Sequence, residues 1–100
     1  MNGSPLDATR ISDALADVNQ GIAQPWEHTG GRIRKTFVFK NFSEAFAFMT
    51  RAAMVAESLD HHPDWSNAYK TVHVELTTHD AGGLTELDFE FAKSLEGILQ

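Results

Sequence analysis

The chain contains no cysteine, so it can form neither a disulfide framework nor a thiolate metal site, and any bound metal would depend on His, Asp and Glu. Cations are also scarce: eight Lys and Arg stand against fourteen Asp and Glu, for a formal net charge of −6. Domains that grip a nucleic-acid backbone usually carry a cationic surface that displaces counterions, so nucleic acid is not expected as a direct partner. No apolar run approaches the ~20 residues that cross a bilayer, and Met1–Pro5 lacks a basic region followed by an apolar one. Neither a membrane span nor an export signal is expected, and the expected location is cytoplasmic. Repeats, low-complexity stretches and interdomain linkers are absent too, which leaves one domain over residues 7–100 behind a flexible leader, residues 1–6.

What is present is the composition of an ordinary folding domain: 42% hydrophobic residues, 10% aromatic. Ile11, Ala14, Leu15 and Val18 recur at helical spacing and predict a first amphipathic helix from about Asp7 to Asn19, ended by Gly21. Trp26 to Thr29, then Gly30-Gly31, then Ile33, Lys35, Phe37 and Phe39 alternating with Arg32, Arg34, Thr36 and Val38 predict a two-stranded hairpin. Lys35 interrupts the apolar side, where a long side chain near a strand end can reach water. Ser43 is placed to cap a second helix reaching about Ser58, with Ala45, Met49, Ala52, Ala56 and Leu59 as its stripe. Phe46, Phe48 and Val55 widen that stripe, which in so small a domain predicts cover by another subunit.

From Tyr69 the chain alternates again, Val72, Val74 and Leu76 against Thr71, His73 and Glu75, and predicts a third strand. His79 to Gly83 is turn-like and is flanked, on this reading, by a short fourth strand. Thr85 and Asp88 stand at the N-cap and N3 positions of a last helix, Leu84 and Phe89 at its hydrophobic-staple positions, and Leu87, Phe91, Leu95 and Ile98 continue the buried face. The expected fold class is α+β: an antiparallel sheet of three to four strands with three helices on one face, in the order α-β-β-α-β-β-α.

The chemistry lies in histidines. His61 and His62 directly follow the second helix, and Pro63 disfavours helix at His62, so both sit in a loop. His79 occupies a second loop after the Val72–Leu76 strand. Imidazole, with an unperturbed pKa of ~6.5, both gives and accepts a proton near neutrality. Spacing alone leaves three readings open. The histidines can be unrelated surface groups, an acid–base cluster, or, with Asp60, Asp64 or Asp80, a zinc or non-haem iron site. Against the metal reading, adjacent residues in an extended loop point apart and no i, i+4 ligand pair is present.

The run Glu57-Ser58-Leu59-Asp60-His61-His62-Pro63-Asp64-Trp65, followed by Tyr69, Val72, Val74, Leu76, Thr78-His79-Asp80, Gly82-Gly83-Leu84-Thr85 and Asp88, closely resembles the signature of the pterin-4a-carbinolamine dehydratases. Weaker similarity extends upstream through Trp26, the Ile33–Phe39 strand and Asn41-Phe42, while the first twenty residues carry none. Asp64 stands where many relatives have Glu, which shortens a carboxylate and keeps its charge.

The resemblance implies a hydro-lyase that converts 4a-hydroxytetrahydropterin to quinonoid dihydropterin and water, in tetrahydrobiopterin-type recycling, with no metal and no organic cofactor. It implies His61 and His79 as the acid and base, His62 as a further catalytic residue that also holds the pterin, and Glu57 and Asp88 as groups that orient imidazoles or set their protonation. Trp65, Asp60 and Thr78 are the further substrate-binding residues it implies. Plain alternatives stand beside these: Glu57 as a helix-end carboxylate, Asp88 as a helix cap, Trp65 as packing, and His73 and His28 as bystanders. The resemblance also implies a homodimer or homotetramer. A role as dimerisation cofactor for a homeodomain transcription factor, using the Phe46, Phe48, Met49 and Val55 surface, or as a pterin-binding module without turnover, is the alternative.

Overall fold

Alternation and capping at the sequence level become seven regular elements in the computed structural model, which describes residues 4–99. They are α1 (Ala8–Val18), β1 (Glu27–Thr29), β2 (Arg32–Val38), α2 (Phe42–Leu59), β3 (Asp64–Ala68), β4 (Thr71–Leu76) and α3 (Glu86–Ile98), with a 3-10 turn at His79–Ala81. The four strands form one antiparallel sheet in the order β1-β2-β4-β3. The order α-β-β-α-β-β-α and the α+β class are therefore as the sequence implies.

Gly30 and Gly31 close the β1–β2 hairpin with φ of 54° and 79°. A two-residue turn with both φ positive matches the twist of its flanking strands, and only glycine enters it without steric cost. Ile33 and Phe37 of β2 and Val72, Val74 and Leu76 of β4 form the buried face of the sheet. Against it pack Ala45, Phe48, Ala52 and Ala56 of α2, Phe91, Ala92 and Leu95 of α3, and Trp26 from the segment before β1. The small residues of α2 bring its backbone close to the sheet, and the aromatic side chains fill the remainder.

Four expectations are corrected. The fourth strand precedes β4 instead of following it: 64–68 pairs with 71–76, and Tyr69 sits in the turn between them at φ 53°. Neither turn residue, Tyr69 or Lys70, is Gly or Asn, and Tyr reads as a strand former, so the alternation concealed the turn that the Asn67 side chain braces by donating to Tyr69 O and Thr71 O. After β4 only a single bridge, Thr78 with Gly83, extends the pairing. The cap of α2 is Asn41, whose side chain accepts from Glu44 N at 2.9 Å, so the helix starts two residues earlier than Ser43 implies. Phe48 belongs to the core, not to the exposed flank, whereas Phe42, Phe46 and Met54 are exposed.

Lys35 is the fourth correction, because its amine does not reach water. Its side chain is 6% exposed and its Nζ lies 2.6 Å from Glu96 Oε2, which also accepts from Trp26 Nε1 at 2.9 Å. The same amine stands 4.8 Å over the Phe37 ring. A charge this deep persists only when paired and hydrogen-bonded, and Glu96 from α3 supplies the pair.

Of the expected leader, residues 1–3 lie outside the described residues, while Leu6 N donates to Leu84 O at 2.8 Å and its side chain packs against the core. Among the described residues no helix is long and apolar enough to cross a membrane.

Candidate active site

Topology brings the two histidine loops together. β3 and β4 are antiparallel neighbours with Asp64 opposite Glu75, so the start of β3 and the end of β4 share one end of the sheet. The loop from α2 enters at that end, and the loop to α3 leaves from it.

The first loop is shaped by Asp60, the C-cap of α2, which adopts the left-handed conformation at φ 50°, ψ 45°. Asp is among the few residues other than Gly that visit it at modest cost. This reversal lets His61 N donate back to Ala56 O at 3.0 Å and sends successive side chains in opposite directions. His61 becomes buried, 7% exposed, and His62 stays in solvent.

Inside, His61 meets the start of α3. Its Nε2–H donates to Asp88 Oδ1 at 2.6 Å, and Asp88 is fully buried. The other oxygen of Asp88 accepts from Thr85 N at 2.9 Å, closing the capping box, and from the Thr78 hydroxyl at 2.8 Å. Since the Thr78 hydrogen is committed there, the Thr85 hydroxyl donates to Thr78 Oγ1 at 2.9 Å and accepts from Leu87 N at 3.3 Å. No buried side-chain polar atom among the described residues lacks a partner. With Nε2–H held by a carboxylate, Nδ1 is the nitrogen of His61 left to exchange a proton.

The outer histidines have carboxylates as well. His62 Nε2 donates to Glu57 Oε2 at 2.8 Å, one turn back along α2. His79 Nε2 lies 3.8 Å from Asp64 Oδ2. That Asp64 oxygen also accepts from Arg32 Nη1 at 2.9 Å, and Arg32 reaches Glu75 at 3.0 Å. The Asp64 hydrogen bond raises the Arg32 guanidinium above its ordinary pKa; desolvation opposes it, and the Asp64 and Glu75 charges reinforce it. A raised base loses its contribution only as pH climbs through the folded-state value, so Arg32 stays cationic at every pH near neutrality.

Asp60, His61, His62, Thr77, Thr78, His79 and Asp80 line one hollow of about 190 Å³. The structure thus brings His61, His62, His79, Asp60 and Thr78 to one place, with Glu57 and Asp88 holding two of the imidazoles. It does not bring Trp65. That residue pairs with Val74 on the helix-facing side of β3 and lines a separate groove with Phe46, Met49, Met54 and Glu57. His73 lies on the opposite, open face of the sheet against Thr36 Oγ1, at 2.8 Å. Thr85 and Arg32 are the site's neighbours that sequence reading passed over. Thr85 was visible only as a cap, Arg32 only as part of a strand's alternation, and Asp64 only as a motif carboxylate, because the contacts of Arg32 and Asp64 depend on the register of β2, β4 and β3. No group of three or more His, Asp or Glu among the described residues is arranged to hold a metal ion.

An antiparallel sheet backed by three helices, with three histidines around a hollow at one sheet end, defines a small α+β protein with a candidate site at that end. Residues 4–98 match the family described as pterin 4 alpha carbinolamine dehydratase, and the chain belongs to it. The match takes in α1, which lies upstream of the region where the sequence resemblance was visible. A relative from Mesorhizobium japonicum is 67% identical over 97 residues, covering 95% of this chain and 94% of its own. One from Bradyrhizobium diazoefficiens is 63% identical over 93 residues, covering 91% and 93%. Both are named, provisionally, pterin-4-alpha-carbinolamine dehydratase. The crystal structure of a Brucella melitensis protein described as transcriptional coactivator/pterin dehydratase superposes with a TM-score of 0.87 at 40% identity, covering 97% of this chain and all of that one.

Proposed function

We propose that the chain is a 4a-hydroxytetrahydrobiopterin dehydratase, a hydro-lyase acting in tetrahydrobiopterin-type cofactor recycling by histidine acid–base catalysis. One observation carries the reading: three imidazoles, each with a carboxylate at its Nε2, surround one hollow. In the reaction the C4a–oxygen bond breaks and a ring nitrogen forms a double bond to C4a. Hydroxide leaves poorly, so an imidazolium delivers a proton to the 4a-oxygen, which departs as water, and an imidazole takes the ring N–H proton. One proton enters and one leaves, and no oxidant or reductant is consumed. His61 and His79 perform these transfers. His62 binds the pterin and shares in the proton traffic, Asp60 and Thr78 line the substrate's seat, and Asp88 and Glu57 fix the tautomers of their histidines. The neutral substrate would be met in the cytoplasm, with no metal or cofactor, no membrane and no direct nucleic-acid contact.

Freshly generated carbinolamine, with dehydration followed spectroscopically, tests the assignment. His61→Ala and His79→Ala should each lower kcat/KM by about 10²- to 10⁴-fold, the usual worth of one general acid or base. Equal rates in all three proteins would defeat it, and tight pterin binding without turnover would favour a binding module.

A second reading has an observation of its own. Phe42, Phe46 and Met54 are exposed on α2, and an 800 Å³ groove runs between that face and Trp65. An apolar face of this extent suits self-association as a homodimer or homotetramer, or exchange onto a partner helix as a dimerisation cofactor. The description of the Brucella melitensis structure includes a coactivator. Subunit exchange with such a helix supports that role, and a closed assembly that never exchanges supports the enzyme alone.

A further inference from the structure

We propose that Asp64 is a positioning residue for His79, and that Arg32 holds Asp64 in place to serve it; the proposal rests on the dehydratase reading above. His61 sits 2.6 Å from a fully buried carboxylate, so its orientation is settled by packing. His79 is in the opposite situation. It stands on a short 3-10 turn with its side chain 72% exposed, where nothing else described restrains the ring. Among the described residues, the carboxylate near its Nε2 is Asp64, the first residue of β3, at 3.8 Å.

That carboxylate is itself held. Arg32 Nη1, reaching from the start of β2 past β4, donates to the same Asp64 oxygen at 2.9 Å and to Glu75 at 3.0 Å. Asp64 stands opposite Glu75 in the register, so three strands converge on one guanidinium. The other charged or titratable groups around His79 are Asp80 in its own turn and Asp60, His61 and His62 from the loop after α2. All of these line the hollow, whereas Asp64 is not among its lining residues. Asp64 can therefore hold the ring without occupying the hollow. A fixed anion at Nε2 favours the tautomer with its hydrogen there and frees Nδ1 for proton transfer. Exposed ion pairs add little to stability, so a purely structural clip would be a poor reason for this arrangement.

The test uses the full chain. Asp64→Asn should lower kcat roughly tenfold with KM little changed, the low end of what loss of an orienting carboxylate costs a histidine. Asp64→Glu should restore most of the rate, and Arg32→Gln should reproduce part of the loss. In a His79→Gln background Asp64→Asn should do nothing further, because an effect routed through His79 has no route left. Without substrate, the imidazole ¹⁵N signals of His79 should move in Asp64→Asn while those of His61 stay. Unchanged kcat and unchanged His79 signals would overturn the proposal, as would an equal loss in the His79→Gln background. Wild-type protein without dehydratase activity would instead count against the underlying reading, and the His79 signals would still decide whether Asp64 holds the ring.

Discussion

Asp88 joins the cap of α3 to the candidate site at a single side chain. One oxygen closes the α3 capping box and takes the Thr78 hydroxyl; the other holds His61. Asp88→Ala removes a cap worth about 1 kcal/mol and strands the buried Thr85 N–H, which costs a further ~1–3 kcal/mol. Chemical denaturation should therefore show a loss of about 2–4 kcal/mol. The same variant frees the His61 ring, so dehydratase activity should fall even at temperatures where the variant is folded. Thr78→Val should resemble a milder Asp88→Ala, losing about 1–2 kcal/mol from an unpaired hydrogen bond with a smaller effect on rate. Sequence reading found Asp88 through its Thr-x-x-Asp spacing, which announces a cap. That the free oxygen of that cap meets an imidazole twenty-seven positions away is not written in any local spacing.

At the level of elements, one irregular feature positions the site and a second, away from it, ties the fold together. Asp60 ends α2 in the left-handed region and aims His61 inward. A β-branched side chain is poorly tolerated there, so Asp60→Val should destabilise by about 1–2 kcal/mol and weaken catalysis through His61, while Asp60→Gly should leave stability nearly unchanged. The second is the clamp between β2 and α3. Glu96 accepts from both Lys35 and Trp26, with side chains 6% and 12% exposed across the ion pair. Glu96→Ala leaves an uncompensated buried ammonium and an orphaned indole N–H, and should cost about 3–5 kcal/mol, measured as a fall in the denaturation midpoint. Periodicity located α1, α2, α3, β2 and β4 because each buries a face with a regular repeat. It missed β3, because Asp64–Ala68 is an edge strand of mixed polarity whose pattern is exposed and half-buried, with no continuous apolar face. It misread Lys35 for a related reason: whether a cation on an apolar face reaches water or a carboxylate depends on which helix lies above it.

For the whole molecule, the unpartnered α2 face bears on assembly. Phe46 and Met54 are 55% and 67% exposed, and neither belongs to the histidine hollow. If this face mediates self-association, Phe46→Glu with Met54→Glu should convert the oligomer to monomer in light scattering coupled to size exclusion. A wild-type chain that is already monomeric at working concentrations would refute the assembly. The amino-acid sequence by itself determined the α+β class, the order of elements, three of the four strands (two by alternation and one by the Gly30-Gly31 turn) and the family, because local periodicity, caps and a dense motif are carried by neighbouring residues. Tertiary structure alone decided which carboxylate lies beside which histidine, that Trp65 lines another groove, and that Lys35 is buried against Glu96. Those facts depend on strand register and helix placement, which join residues far apart in the chain through contacts that no local spacing encodes.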